Sequence, residues 1–180
     1  MEEKVVYFET SGEENTLEVL RLVEERALAR GISKIVLAST RGDTARAAVD
    51  AFDRTGLRLV VVPHQFGFLG QQRFPQQLVT ELEKRGHCVH FGTMLFHTED
   101  LYGTRAPRLM ATLLRTFCQG MKVCVEIILM ACDGGLIEQG EKVIAVAGTG
   151  AGADTAIVAT SAPSTRLPEL HVHEIICKPL

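Results

Sequence analysis

Short apolar runs alternate along this chain with stretches of helical spacing. Val5–Phe8, Ile35–Ala38, Leu59–Val62 and Cys88–Phe91 are mostly apolar and short, as buried strands are. After the first run, Leu17, Leu20, Val23 and Ala27 fall on one helical face, and that helix should stop near Gly31. A second helix is predicted from the residues after Gly42 to about Asp53. A third should begin with Pro75 in its first turn, where a missing N–H costs nothing, and end near Gly86. Gly92–Arg105 mixes Met94, Leu95 and Phe96 with His97, Glu99 and Asp100 and is assigned as a loop. Pro107 to about Cys132 reads as mostly helical with a break at Gly120. The final third is strand-rich: Lys142–Ala147, Thr155–Thr160 and Val172–Cys177. Strands alternating with helices imply an α/β fold, a three-layer α/β/α sandwich around a mostly parallel sheet. The last connections are too short for parallel crossovers, so at least one strand near the C-terminus should be antiparallel.

The 180 residues fit one domain, 1–180, large enough to bury a core without staples. A net charge of −3 argues against a broad nucleic-acid surface. The five cysteines form no CxxC pair, and their odd number and apolar neighbours read as buried thiols in a reducing compartment. The longest apolar stretch, Val123–Cys132, contains Glu126 and is too short to span a bilayer. The start, Met-Glu-Glu-Lys, carries no signal-peptide pattern. The expectation is a soluble cytoplasmic protein with neither nucleic-acid nor membrane partners. A homo-oligomer is compatible with all of this.

The densest chemistry is Ser39-Thr40-Arg41-Gly42-Asp43-Thr44, between a predicted strand and a predicted helix. Unpaired N–H groups and the helix dipole make such a start favourable for anions. Ser39, Thr40 and Thr44 offer hydroxyls, Arg41 a charge-assisted bond, and Gly42 a tight turn. A side chain at Gly42 should therefore weaken anion binding with little loss of fold. The alternative is a capped turn that binds nothing, with Asp43 as N-cap. Gly12, Glu13, Glu14, Asn15 and Thr16 lie where a first-strand loop meets a helix. They read either as hydroxyl-recognising groups or as a solvated cap. His64, Phe66, Gly67 and Phe68 form a loop whose rings either stack on a flat ligand or fold onto the core. Gly148, Thr149, Gly150 and Gly152, then Asp154 and Thr155, make a bare-backboned hairpin. It reads as a close approach to a ligand, with Thr149 and Asp154 as polar contacts, or as a tight turn alone. Glu126 in its apolar helix needs a partner, either Lys122 four residues earlier or a ligand. No metal site is expected. His87 and His90 point to opposite faces of a strand, and His171 with His173 supply only two ligands. No serine has a hydrolase context, and catalytic residues are not identified.

Four passages together resemble the α/β carboxy-terminal domain of pyruvate kinase, and more closely the standalone archaeal and bacterial proteins built on it. They are Tyr7-Phe8-Glu9 through Glu14-Asn15-Thr16, Ala38 through Ala45, Met121-Lys122-Val123-Cys124-Val125-Glu126-Ile127, and Gly148 through Ala156. In pyruvate kinases this domain is not catalytic. There the hydroxyl-rich turn and the glycine hairpin clasp a sugar bisphosphate. The standalone relatives look like flavin mononucleotide (FMN) binders. The resemblance thus implies a phosphorylated small-molecule ligand, with FMN as the suspected cofactor. A flavin-dependent oxidoreductase or a sugar-phosphate-responsive regulatory module is the alternative. The catalytic barrel has no room in 180 residues, so pyruvate kinase activity is not expected. The family hairpin carries a basic residue near its first glycines. Here Thr149 stands instead, with no Lys or Arg between Lys142 and Arg166, which favours a monophosphate over a bisphosphate.

Overall fold

In the computed structural model, which describes residues 2–180, the apolar runs become β1 (Val6–Phe8), β2 (Lys34–Ala38), β3 (Arg58–Val62), β4 (Cys88–Val89), β5 (Lys142–Ala147), β6 (Thr155–Thr160) and β7 (His171–Pro179). They form one sheet in the order β1-β7-β6-β5-β2-β3-β4. The pairs β1–β7, β5–β2, β2–β3 and β3–β4 are parallel. β6 runs antiparallel to both neighbours, as the short connections require.

Alternate residues of the central strands enter two cores. Ile35, Leu37, Leu59, Val61, Ile144 and Val146 pack with α1 (Thr16–Arg30), α2 (Asp43–Phe52) and α3 (Gln76–Lys84). Val36, Val60, Val62, Val143 and Ala145 pack with α6 (Gln119–Asp133) on the other face. The period of two in a strand sends neighbours to opposite faces, so strands buried on both sides read as continuous apolar runs. The outcome is the predicted three-layer α/β/α arrangement. Among the described residues no helix is long and apolar enough to cross a membrane.

Four local expectations are corrected. Gly92–Arg105 is not a plain loop: Leu95–His97 forms a 3-10 turn, followed by α4 (Glu99–Tyr102). Phe96 drives this by burying beside Ala111, Val125 and Leu129 while its N–H donates to Glu126 Oε1 at 2.8 Å. The helical break lies before Gly120, between α5 (Ala106–Arg115) and α6, where extended Cys118 caps α6 through its Sγ. Gly120 is helical, and a Cβ there would lie 2.1 Å from Thr155 Oγ1. Glycine thus lets α6 rest on the start of β6. Pro75 sits at the cap position of α3 rather than within its first turn. Asp43 is the first residue of α2, not its N-cap. That place belongs to Gly42 at φ +95°, which an L side chain rarely adopts.

Candidate functional site

β1, β2, β3 and β5 all point the same way, so the segments that leave them gather at one sheet edge. This is where open α/β sheets hold ligands. A cavity of about 650 Å³ opens there, within the ordinary range for small-molecule sites. A second, open concavity of about 570 Å³, between Glu99 and Arg108, carries none of the predicted site residues.

The β2–α2 turn forms one wall. Ser39, Thr40, Arg41, Asp43 and Thr44 all line the cavity. Ser39 is buried, and its Oγ accepts the Ala45 N–H at 3.2 Å, so Ser39 does the capping expected of Asp43. Arg46 N–H donates to Gly42 O at 2.9 Å. The N–H groups of Asp43 and Thr44 have no hydrogen-bond acceptor among the described residues. Two free donors at a helix start are the physical basis of an anion site. Gly42 itself is not on the cavity wall. A Cβ there would meet Leu78 Cδ2 at 2.5 Å, so the expectation that a side chain spares the fold is corrected. Gly42→Val would strain the core before it reported on binding.

The glycine hairpin forms the opposite lip through Gly148, Gly150 and Gly152. A Cβ on Gly148 would meet Gly152 O at 2.6 Å, and one on Gly152 would meet Glu13 Cα at 2.3 Å. Those two glycines serve close approach within the chain, whereas Gly150 is open. Asp154 is corrected from ligand contact to latch. It is fully buried, and Oδ2 accepts the N–H groups of Gly12 and Thr149, each at 3.0 Å. Oδ1 accepts the Thr155 hydroxyl at 2.7 Å. Gly12, Thr149 and Thr155 therefore belong to the latch and lie outside the cavity wall. Thr16 does line the cavity while its Oγ1 accepts Ala153 N–H at 3.0 Å, tying the hairpin to α1. Glu14 and Asn15 point elsewhere. Glu14 accepts the Thr10 hydroxyl, and Asn15 Nδ2 donates to Thr10 O at 2.9 Å. Of the expected Glu13-Glu14-Asn15-Thr16 group, Glu13 joins Thr16 on the wall.

The loop after β3 is split. His64 and Phe68 line the cavity, with rings edge-on at 4.9 Å. Phe66 packs 4.8 Å from Phe91 instead and Gly67 bridges to Gly70, so neither is a wall residue. From the turn inward runs a connected series of polar and aromatic groups. Thr40 Oγ1 lies 3.4 Å from His64 Nε2, and Phe68 stands edge-on to His97 at 5.1 Å. His97 Nε2 lies 3.1 Å from Lys122 Nζ. Lys122 is ion-paired with Glu126, whose other oxygen holds Phe96 N–H. Lys122 and Glu126 are 1% and 2% exposed, and both line the cavity. Met94, Val123, Ile127 and Met130 supply apolar wall, while Arg73 and Arg115 add charge. Thr40, His64 and Phe68 were expected at the site, and among the groups further in, the Lys122–Glu126 spacing carried a sequence signal. His97, Arg73 and Arg115 come from segments with no motif, brought here by the fold.

Desolvation pushes both His64 and His97 below the ordinary histidine value. Nearby cations push the same way: Arg73 for His64 and Lys122 for His97. Glu126 opposes in both. His87 and His90 are lowered too, again chiefly by desolvation. A histidine lowered on folding contributes stability that is fully present above its unfolded value, about 6.5, and lost as pH falls through its folded value. The melting temperature should therefore be nearly flat above about pH 7 and fall progressively below about pH 6.5. Melting followed by circular dichroism across that range checks this, and a rise on acidification would contradict the neutral assignment.

Among the described residues no group of three or more His, Cys, Asp or Glu converges as a metal site. No family model matches the chain. Structural neighbours are pyruvate kinases that cover most of it. A crystal structure of a pyruvate kinase from Cryptosporidium parvum is 16% identical with a TM-score of 0.46, over 82% of this chain and 23% of that one. The Cryptosporidium parvum enzyme in complex with ADP is 16% identical with a TM-score of 0.41, over 91% and 24%. The chain spans about a quarter of the length of the pyruvate kinases it matches.

Proposed function

We propose that the cavity binds a phosphorylated small molecule and that this ligand is FMN. The observation that carries the reading is the pair of free N–H groups on Asp43 and Thr44, flanked by Arg41 and the Thr40 hydroxyl at the rim of a cavity of about 650 Å³. The residues suit the group. The β2–α2 turn would hold the phosphate, Glu13 and the hairpin would meet the ribityl chain, and His64, Phe68 and the Met94–Ile127 wall would cover the flat ring. The resemblance to standalone FMN-binding relatives points the same way. Flavin brings redox chemistry of its own, and the protein's part is to position and tune it. The five free cysteines fit a reducing, cytoplasmic setting.

Titration with FMN and with riboflavin tests this. FMN should bind about tenfold or more tightly, the value of charge-assisted bonds to one phosphate. Arg41→Ala, an exposed position, should weaken FMN while leaving riboflavin unchanged. Equal affinities of the wild type for both would overturn the phosphate assignment. Bleaching of bound flavin by a nicotinamide cofactor would favour an oxidoreductase over a sensing module.

A further inference from the structure

Lys122 is the least ordinary residue of the cavity. It sits in the second turn of α6, is 1% exposed, and yet its side chain forms part of the wall. An ammonium has three N–H donors. One goes to Glu126 Oε2 and one reaches His97 Nε2, which accepts as the neutral ring. Phe96 presents its ring face 5.5 Å away on a further side. No third oxygen or nitrogen acceptor is found among the described residues. Glu126 cannot turn to offer more, because its second oxygen is committed to Phe96 N–H. Burial holds Lys122 below the ordinary lysine value and the Arg115 charge adds to this, while Glu126 opposes through its charge and its hydrogen bond. Buried charge is costly unless fully paired, and here the missing partner would have to come from the cavity.

We infer that Lys122 is the ligand-contacting cation at the inner end of the cavity. It donates to an electron-rich carbonyl or ring-nitrogen edge at the opposite end of the ligand from the phosphate, and it favours the ligand state that carries negative charge there. The inference rests on the flavin reading above and names what its ring end would meet. Two-electron reduction of bound flavin, with dithionite as electron donor, takes up one proton at N5 and leaves the negative charge over N1 and the C2 oxygen. A fixed ammonium beside that edge stabilises the reduced form over the oxidised one. His97 positions the ammonium from one side and Glu126 from the other.

The test compares oxidised and reduced FMN on the wild type and on the double variant K122M/E126Q, which removes both charges together. Binding of reduced relative to oxidised FMN should fall at least tenfold in the double variant. That corresponds to a drop in midpoint potential of about 30 mV for a two-electron couple. A wild-type readout needs no variant to fold. Lys122 is the one buried lysine among the described residues, so its Nζ nitrogen resonance should be the solvent-protected one. It should shift on adding FMN and stay in place on adding inorganic phosphate. An unchanged reduced-to-oxidised ratio, or a resonance unmoved by saturating FMN, overturns the role of Lys122 while leaving FMN binding intact. Failure of the wild type to bind FMN at all overturns both readings.

Discussion

Asp154→Ala should destabilise the protein by about 3 kcal/mol or more, the cost of stranding buried donors. The carboxylate is fully buried and accepts from Gly12 N, Thr149 N and the Thr155 hydroxyl. Those three groups come from the loop after β1, the glycine hairpin and the first residue of β6, so the loss falls where three segments meet. Asn at the same position keeps one acceptor oxygen and brings an N–H₂ group against the remaining donors. Its cost should be intermediate. Urea unfolding checks the order wild type, Asn, Ala, with the midpoint falling and the slope unchanged if the native state stays compact. A loss below about 1 kcal/mol for the alanine variant would show that water replaces the carboxylate and that the latch is dispensable. Amide exchange should speed up from Gly148 to Ala153 in the same variant, because the hairpin loses its tether.

Lys122→Met should cost about 3–5 kcal/mol, for a different reason. Removing the ammonium leaves Glu126, at 2% exposure, as an unpaired buried charge. Adding Glu126→Gln removes that charge, and the double variant should recover to within about 1 kcal/mol of wild type. The contrast matters more than either number. A buried ion pair broken on one side is strongly destabilising, yet the pair as a whole contributes little over a neutral replacement. Such behaviour would mean the pair is kept for its place on the cavity wall, not for stability. If the double variant were as unstable as Lys122→Met, the pair would be essential to α6 packing instead. Thermal and urea melts of the three variants decide between the two.

How far each feature could be read from the chain follows the range of its physical cause. The strands β5 and β6 were legible to the residue, because unbroken apolar runs bounded by polar turns leave little choice. The helical face of Leu20, Val23 and Ala27 and the stop at Gly31 were equally plain, with Gly31 at φ +63° closing the helix, but Leu17, read on the same face, is exposed. The β2–α2 turn was visible as a motif, since its chemistry sits in six consecutive residues. The Gly92–Arg105 segment was not, because its turn depends on Phe96 finding a place among α5 and α6 residues. Nor was the role of Gly120, whose reason is the Thr155 side chain across the layer.

The same division runs through the site. Apolar periodicity and short connections determined the fold class, the presence of an antiparallel strand near the C-terminus and the presence of a hydroxyl-rich helix start, because each depends on neighbours within about one turn of helix or one strand pair. Which groups face the ligand was decided only by tertiary structure. Asp154 looked like a contact and became a latch because Gly12, far away in sequence, comes to it. Phe66 and Phe68, two residues apart, separate because one meets Phe91 and the other meets His97. His97, Lys122 and Glu126 converge because α6 crosses the sheet beneath the 3-10 turn. A sequence motif records local hydrogen-bonding capacity, whereas burial, partner choice and the direction of a pKa shift are set by whatever the fold packs alongside.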